Sequence, residues 1–159
     1  MRPNRTCLFV FSTVITFAIG LLLQDPMQLV AQGQQQFKAH LRAVPIANAA
    51  GRANIDESAT VFAVGNVTAT LNGNKMTVAG TFEGFKSPAS MAQIRQSVVT
   101  GARGPVLFDL TVTKETKGSI SGTFDLTPEQ ANLLRNARLY VQIHNQNTPE
   151  GALWGWFLK

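Results

Sequence analysis

Leu139-Tyr140-Val141-Gln142-Ile143-His144-Asn145 and, after a short loop, Ala152-Leu153-Trp154-Gly155-Trp156-Phe157-Leu158 decide the fold. Both halves have the two-residue period of a β-strand, and they are read as the last two strands, over residues 138–145 and 152–158. Paired antiparallel, one register sets Ile143 opposite Leu153, Val141 opposite Gly155 and Leu139 opposite Phe157, an apolar side that lines a core. The same register sets His144 opposite Ala152, Gln142 opposite Trp154 and Tyr140 opposite Trp156 on the other side. A slip of one residue would turn every aliphatic side chain into water, so the register is strongly specified.

Working outward, the same signal recurs at short intervals. Phe37, Ala39, Leu41 and Ala43 alternate with Lys38, His40 and Arg42. Val67, Ala69 and Leu71 alternate with Thr68 and Thr70. Asn72-Gly73-Asn74 follows as a tight turn, because Asn and Gly accept positive φ. Met76, Val78 and Phe82 continue the returning arm, with Gly80 at the remaining alternate place. Gly104-Pro105 opens a strand from Val106 to Thr113. Lys117-Gly118 turns the chain into Ser119–Leu126, where Ile120 and Phe124 share a face. Thr127-Pro128-Glu129-Gln130 is a helix start: Thr127 caps, Pro128 suits the first helical position and Gln130 completes a capping box. Ala131, Leu133 and Leu134 give that helix its apolar side. Short strands between turns, with one short helix near residues 128–136, predict an all-β antiparallel sandwich or barrel.

The N-terminus reads differently. Arg2 and Arg5 precede an uncharged, largely apolar stretch from Thr6 to Gln24, the layout of a secretory signal peptide. Small residues at Ala31 and Gly33 place cleavage after one or the other, with Ala31 preferred. The alternative is an uncleaved membrane anchor, since the stretch reaches the lower limit of a span. The division that follows is a signal peptide over 1–31, a polar leader over 32–36 and one β domain over 37–159. Localisation is then secreted, periplasmic or at the cell envelope. The single cysteine, Cys7, falls within the signal, so the mature domain has no disulfide and depends on core packing. Hydrophobic residues make up 45% of the 159, enough for a packed core rather than a disordered chain. The net charge of +5 is scattered, with no basic stripe or nucleic-acid motif, which argues against nucleic acid as a partner.

The closing segment, Leu139 to Asn145 followed by Thr148-Pro149-Glu150-Gly151-Ala152-Leu153-Trp154-Gly155, resembles the closing motif of the CHRD domain family. Phe37-Lys38-Ala39-His40-Leu41 is similar to that family's opening strand, and Gly104-Pro105-Val106 to its Gly-Pro-Val strand. The resemblance spans about residues 37 to 158. It implies an immunoglobulin-like β-barrel distantly similar to copper/zinc superoxide dismutases, and no established activity. Where relatives carry Ala-His-Ile-His, this chain has Ala92-Gln93-Ile94-Arg95. An amide and a cation replace two imidazoles, so a metal site at Gln93, Arg95 and His144 is not expected here. The stretch from Ser90 to Thr100 stays open: Met91, Ile94 and Val98 would share a helical face, whereas the resemblance implies extended chain.

Catalytic signatures are sparse. His144 has no Asp or Glu tied to it by spacing, and a structural histidine bonded to its adjacent loop is the simpler reading. His40 reads as a solvated surface residue. Glu83 and Asp109 are isolated strand carboxylates, and no nucleophile elbow or phosphate-binding glycine loop occurs. Asn66-Val67-Thr68 is a glycosylation sequon, relevant only in a eukaryotic secretory route. In the family the places of Trp154 and Trp156 are usually polar. Two indoles beside Tyr140 suggest a partly exposed aromatic platform, with Gln142 and His144 on the same face, suited to a protein or glycan ligand. The alternative is that these rings are covered. Two functions follow: a non-catalytic binding or structural module without a cofactor, or a degenerate metal-dependent enzyme using His144 with Gln93 or Arg95. Oligomeric state is undetermined, and membrane contact is expected only if the N-terminal segment is uncleaved.

Overall fold

The computed structural model describes residues 33–47, 53–54 and 62–159. The segment expected to be a signal peptide, residues 1–31, lies outside these residues. No helix among the described residues is long and apolar enough to cross a membrane.

The strands are β1 (Gln34–Ala43), β2 (Ile46–Ala47), β3 (Ala53–Asn54), β4 (Val64–Asn72), β5 (Lys75–Glu83), β6 (Ala89–Gln96), β7 (Val106–Val112), β8 (Gly118–Asp125), β9 (Leu139–Asn145) and β10 (Leu153–Trp156), with helix α1 (Pro128–Arg135) before β9. Eight strands close into an antiparallel barrel in the order β1-β10-β9-β6-β7-β8-β5-β4, while β2 and β3 form a separate two-stranded ribbon. Strand β1 begins at Gln34, so Gln34–Gln36 belong to the barrel and not to a leader. Their backbone pairs with Asn72, Leu71 and Thr70 of β4, which gives those polar residues a place in the sheet.

Alternation dictates which side chains fill the interior. Phe37, Ala39 and Leu41 of β1 and Val67, Ala69 and Leu71 of β4 are each at most 1% exposed. Met76 and Val78 of β5, Ile94 of β6, Ile120 of β8, Leu139, Val141 and Ile143 of β9, and Leu153 of β10 join the same cluster, together with Phe157. Burying a side chain of this size contributes about 1.5–3 kcal/mol, and with one cysteine in the sequence no intrachain disulfide adds to it. The β4–β5 hairpin turns at Gly73, whose φ is 62°. Strand β6 settles the open stretch: Ala89–Gln96 is extended, with Ile94 in the core and Met91 outside.

Helix α1 starts as its sequence predicts. The Thr127 hydroxyl accepts from the Gln130 amide (3.3 Å) and the Gln130 side chain accepts from the Thr127 amide (2.9 Å). Ala131 and Leu134 are buried under it. Arg135 Nε donates to Gln35 Oε1 at 3.1 Å, tying the helix to the first strand.

Two seams in the barrel are thin. Strands β7 and β8 meet at Thr111↔Ser121 and Val112↔Ile120. Strands β1 and β10 meet at Arg42↔Trp154 and Ala43↔Leu153, with a further bridge from Lys38 to Leu158.

Candidate functional site: the outer face of β9 and β10

The β9–β10 register is the one the alternation predicts: Leu153↔Ile143, Trp154↔Gln142, Gly155↔Val141 and Trp156↔Tyr140. Strand β6 lies on the other side of β9 and sets Gln93 beside Gln142 and Arg95 beside Tyr140. Gln93 in turn faces Asp109 of β7. The sequence-predicted residues therefore share one outer face, in two rungs: Trp154, Gln142, Gln93, then Trp156, Tyr140, Arg95. His144 pairs with Met91, one rung further along.

The platform is more buried than the sequence suggests. All seven residues of β9 are buried, outward ones included. Tyr140 is 0%, Gln142 1% and His144 6% exposed, whereas Trp154 and Trp156 are half-buried. Two loops cover the face. Gly104 N donates to the Tyr140 hydroxyl (3.1 Å), and Arg95 Nε donates to Gly104 O (2.9 Å). Gln142 Nε2 and Arg103 Nη1 both donate to Glu150 O, at 2.8 and 2.6 Å. An Arg103–Glu150 ion pair at 3.8 Å joins the two loops. Tyr140, Gln142 and His144 are thus covered, and of the aromatic platform expected from the sequence only the two indoles keep part of their surface exposed.

The three aromatic rings form one cluster. Tyr140 stacks on Trp156 with centroids 4.8 Å apart and an interplanar angle of 25°. Trp154 meets Trp156 at 4.7 Å and 67°, and Tyr140 at 6.1 Å and 90°. Offset-stacked and edge-on aromatic pairs add about 0.5–1.5 kcal/mol each beyond their area, so the indoles are held in place by Tyr140.

The polar groups are equally engaged. Gln93 Nε2 donates to Asp109 Oδ1 (2.9 Å) and Gln93 Oε1 accepts from Arg95 Nη1 (3.2 Å). His144 Nδ1 donates to the Pro149 carbonyl at 2.7 Å. Burial pushes the His144 pKa below its ordinary value. The Pro149 carbonyl opposes that shift, Arg95 and Arg103 add to it, and Glu150 opposes it. The imidazole is therefore neutral at pH 7, with its proton on Nδ1. Its Nε2 and the indole Nε1 of Trp156 are buried without a partner among the described residues. A general base needs an orienting acid and access to substrate. His144 has a backbone carbonyl in place of the acid, and its side chain is buried. Among the described residues no three His, Cys, Asp or Glu side chains gather where they could hold a metal ion.

Closed antiparallel strands, one short capped helix and an aromatic outer face define the molecule as a small all-β barrel domain. The chain belongs to the CHRD domain family, whose model matches residues 30–156. Neither the curated proteins nor the solved structures returned a match to it.

Proposed function

We propose that this chain is an exported, non-catalytic binding module whose ligand rests on the outer side of β10, with Trp154 and Trp156 as contact rings. One observation carries the reading: beside a strand β9 that is buried along its whole length, these two indoles stay half-buried above a fully buried Tyr140. Rigid aromatic rings with one side packed and the other reachable give large contact area at little entropic cost. The engaged state of His144 and Arg95 supports positioning rather than acid–base work. Export rests on the Arg2–Arg5 start, the apolar stretch and the small residues near Ala31. The ligand is a protein or glycan of the envelope or extracellular space. The barrel itself is read as an immunoglobulin-like, superoxide-dismutase-type sandwich, because its thin seams divide β1-β4-β5-β8 from β10-β9-β6-β7.

A binding scan against envelope glycans and envelope proteins, run with Trp154→Ala and Trp156→Ala, tests the proposal. Binding weakened in both variants supports it, and binding unchanged in both removes it. Stoichiometric copper or zinc in the purified protein would favour the metal-dependent enzyme instead.

A further inference from the structure

Lys38, His40 and Arg42 all project from the outer side of β1, each exposed, between the buried Phe37, Ala39 and Leu41. Beside them run Trp154, Trp156 and the exposed Leu158. Arg42↔Trp154 and Lys38↔Leu158 belong to one register, which sets His40 level with Trp156. A basic file thus runs alongside an aromatic and aliphatic file. Successive outward residues in a file are about 7 Å apart, and the files themselves about 5 Å apart.

A groove of about 440 Å³ opens at the Lys38–Leu158 end of this seam, lined by Gln36, Lys38, His40, Leu158 and Lys159. On the far side of β1, Asn66 and Thr68 of β4 stand beside His40 and Lys38. His40 Nδ1 donates to Asn66 Oδ1 at 2.6 Å, which orients the ring and leaves Nε2 for another group. The outward positions of β4, β1 and β10 carry no acidic side chain among the described residues. Because the barrel is closed, this region offers no free strand edge for an extended peptide to extend the sheet. Recognition here falls to side chains: cations for negative groups, and indoles for the flat faces of rings.

We infer that the ligand is an acidic polysaccharide lying along the β1–β10 seam. Its sugar rings pack on Trp154 and Trp156, its carboxylates meet Lys38, Arg42 and Lys159, and a hydroxyl bonds His40 Nε2. This rests on the binding-module reading above and names the ligand class.

The test titrates the full chain with polygalacturonate and with the same polymer fully methyl-esterified, which keeps the rings and removes the charge. Polygalacturonate should bind at least tenfold more tightly, and more weakly as salt is raised. The double variant Lys38→Gln/Arg42→Gln, at exposed positions outside the core, should lose about tenfold, from roughly threefold per neutralised contact. Lys114→Gln, in the β7–β8 loop, should match the parent.

Equal affinity for both polymers, or no loss in the double variant, would overturn the acidic-glycan assignment. So would duplex DNA binding as tightly as polygalacturonate, which would mark charge attraction alone. Any of these, with Trp154→Ala and Trp156→Ala still weakening capture of an envelope component, leaves the module reading in place. Tryptophan variants that bind every probe like the parent sink both.

Discussion

Gly155→Ala should loosen the seam that brings the basic and aromatic files together. Gly155 lies between the two tryptophans with its α-carbon against β1. A β-carbon there would sit 2.5 Å from the His40 carbonyl oxygen, 2.9 Å from the His40 carbonyl carbon and 2.9 Å from Leu41 Cδ2. Two of those atoms are backbone, so no rotamer change relieves the clash. β1 has to withdraw by roughly 0.5 Å to restore even the 3.0 Å that real side chains rarely breach. The seam is held by Lys38 N to Leu158 O (2.8 Å), Leu158 N to Lys38 O (2.9 Å) and Val44 N to Ala152 O (3.0 Å). The same withdrawal stretches them toward the limit of a useful hydrogen bond. Overpacking costs about 1–3 kcal/mol and weakening three bonds roughly 1 more. The smaller entropy of the unfolded alanine chain offsets about 0.4–1. The net is about 2 kcal/mol of destabilisation, or roughly 1 M in the urea midpoint for a domain of this size. Urea unfolding followed by far-ultraviolet circular dichroism measures it. A midpoint within about 0.2 M of the parent, or above it, would show that β1 does not pack against Gly155 as described.

Other consequences are smaller. A histidine whose folded pKa is depressed stabilises the protein above its unfolded value, and that contribution is lost as pH falls through the window below it. His144 should therefore make the domain less stable as pH drops below 6.5, and His144→Gln should flatten that part of a melting-temperature profile. Thr127→Ala removes a cap that serves the Gln130 amide and should cost about 1 kcal/mol by the same urea assay. Ile143→Ala, at a fully buried position of β9, should cost about 2–5 kcal/mol, the range for opening a cavity in a packed core.

Much of the barrel is legible in the chain because alternation is a local signal. Phe37 to Leu41, Val67 to Phe82 and Leu139 to Phe157 each reveal their buried side within a few residues, and the β9–β10 register follows from them. The capping box at Thr127 is equally local. The closing of loops over β9 is not: Tyr140 meets Gly104 from 36 residues away, and Arg103 meets Glu150 from 47. Alternation says which way Tyr140, Gln142 and His144 point, but not whether anything covers them. Seating Lys38, His40 and Arg42 beside Trp154 and Trp156 likewise requires closure between the first and last strands of the barrel. No spacing within either strand announces it. The two-residue strands β2 and β3 are too short to carry a periodic signal.

Trp154 and Trp156 are the only two tryptophans in the chain, so indole emission reports on the proposed contact surface alone. The decisive measurement is fluorescence titration with a bound envelope ligand, beside an independent determination of occupancy on the same sample. The account predicts a saturable change in emission whose midpoint coincides with that of binding. Full occupancy with emission unchanged would place the ligand elsewhere on the barrel.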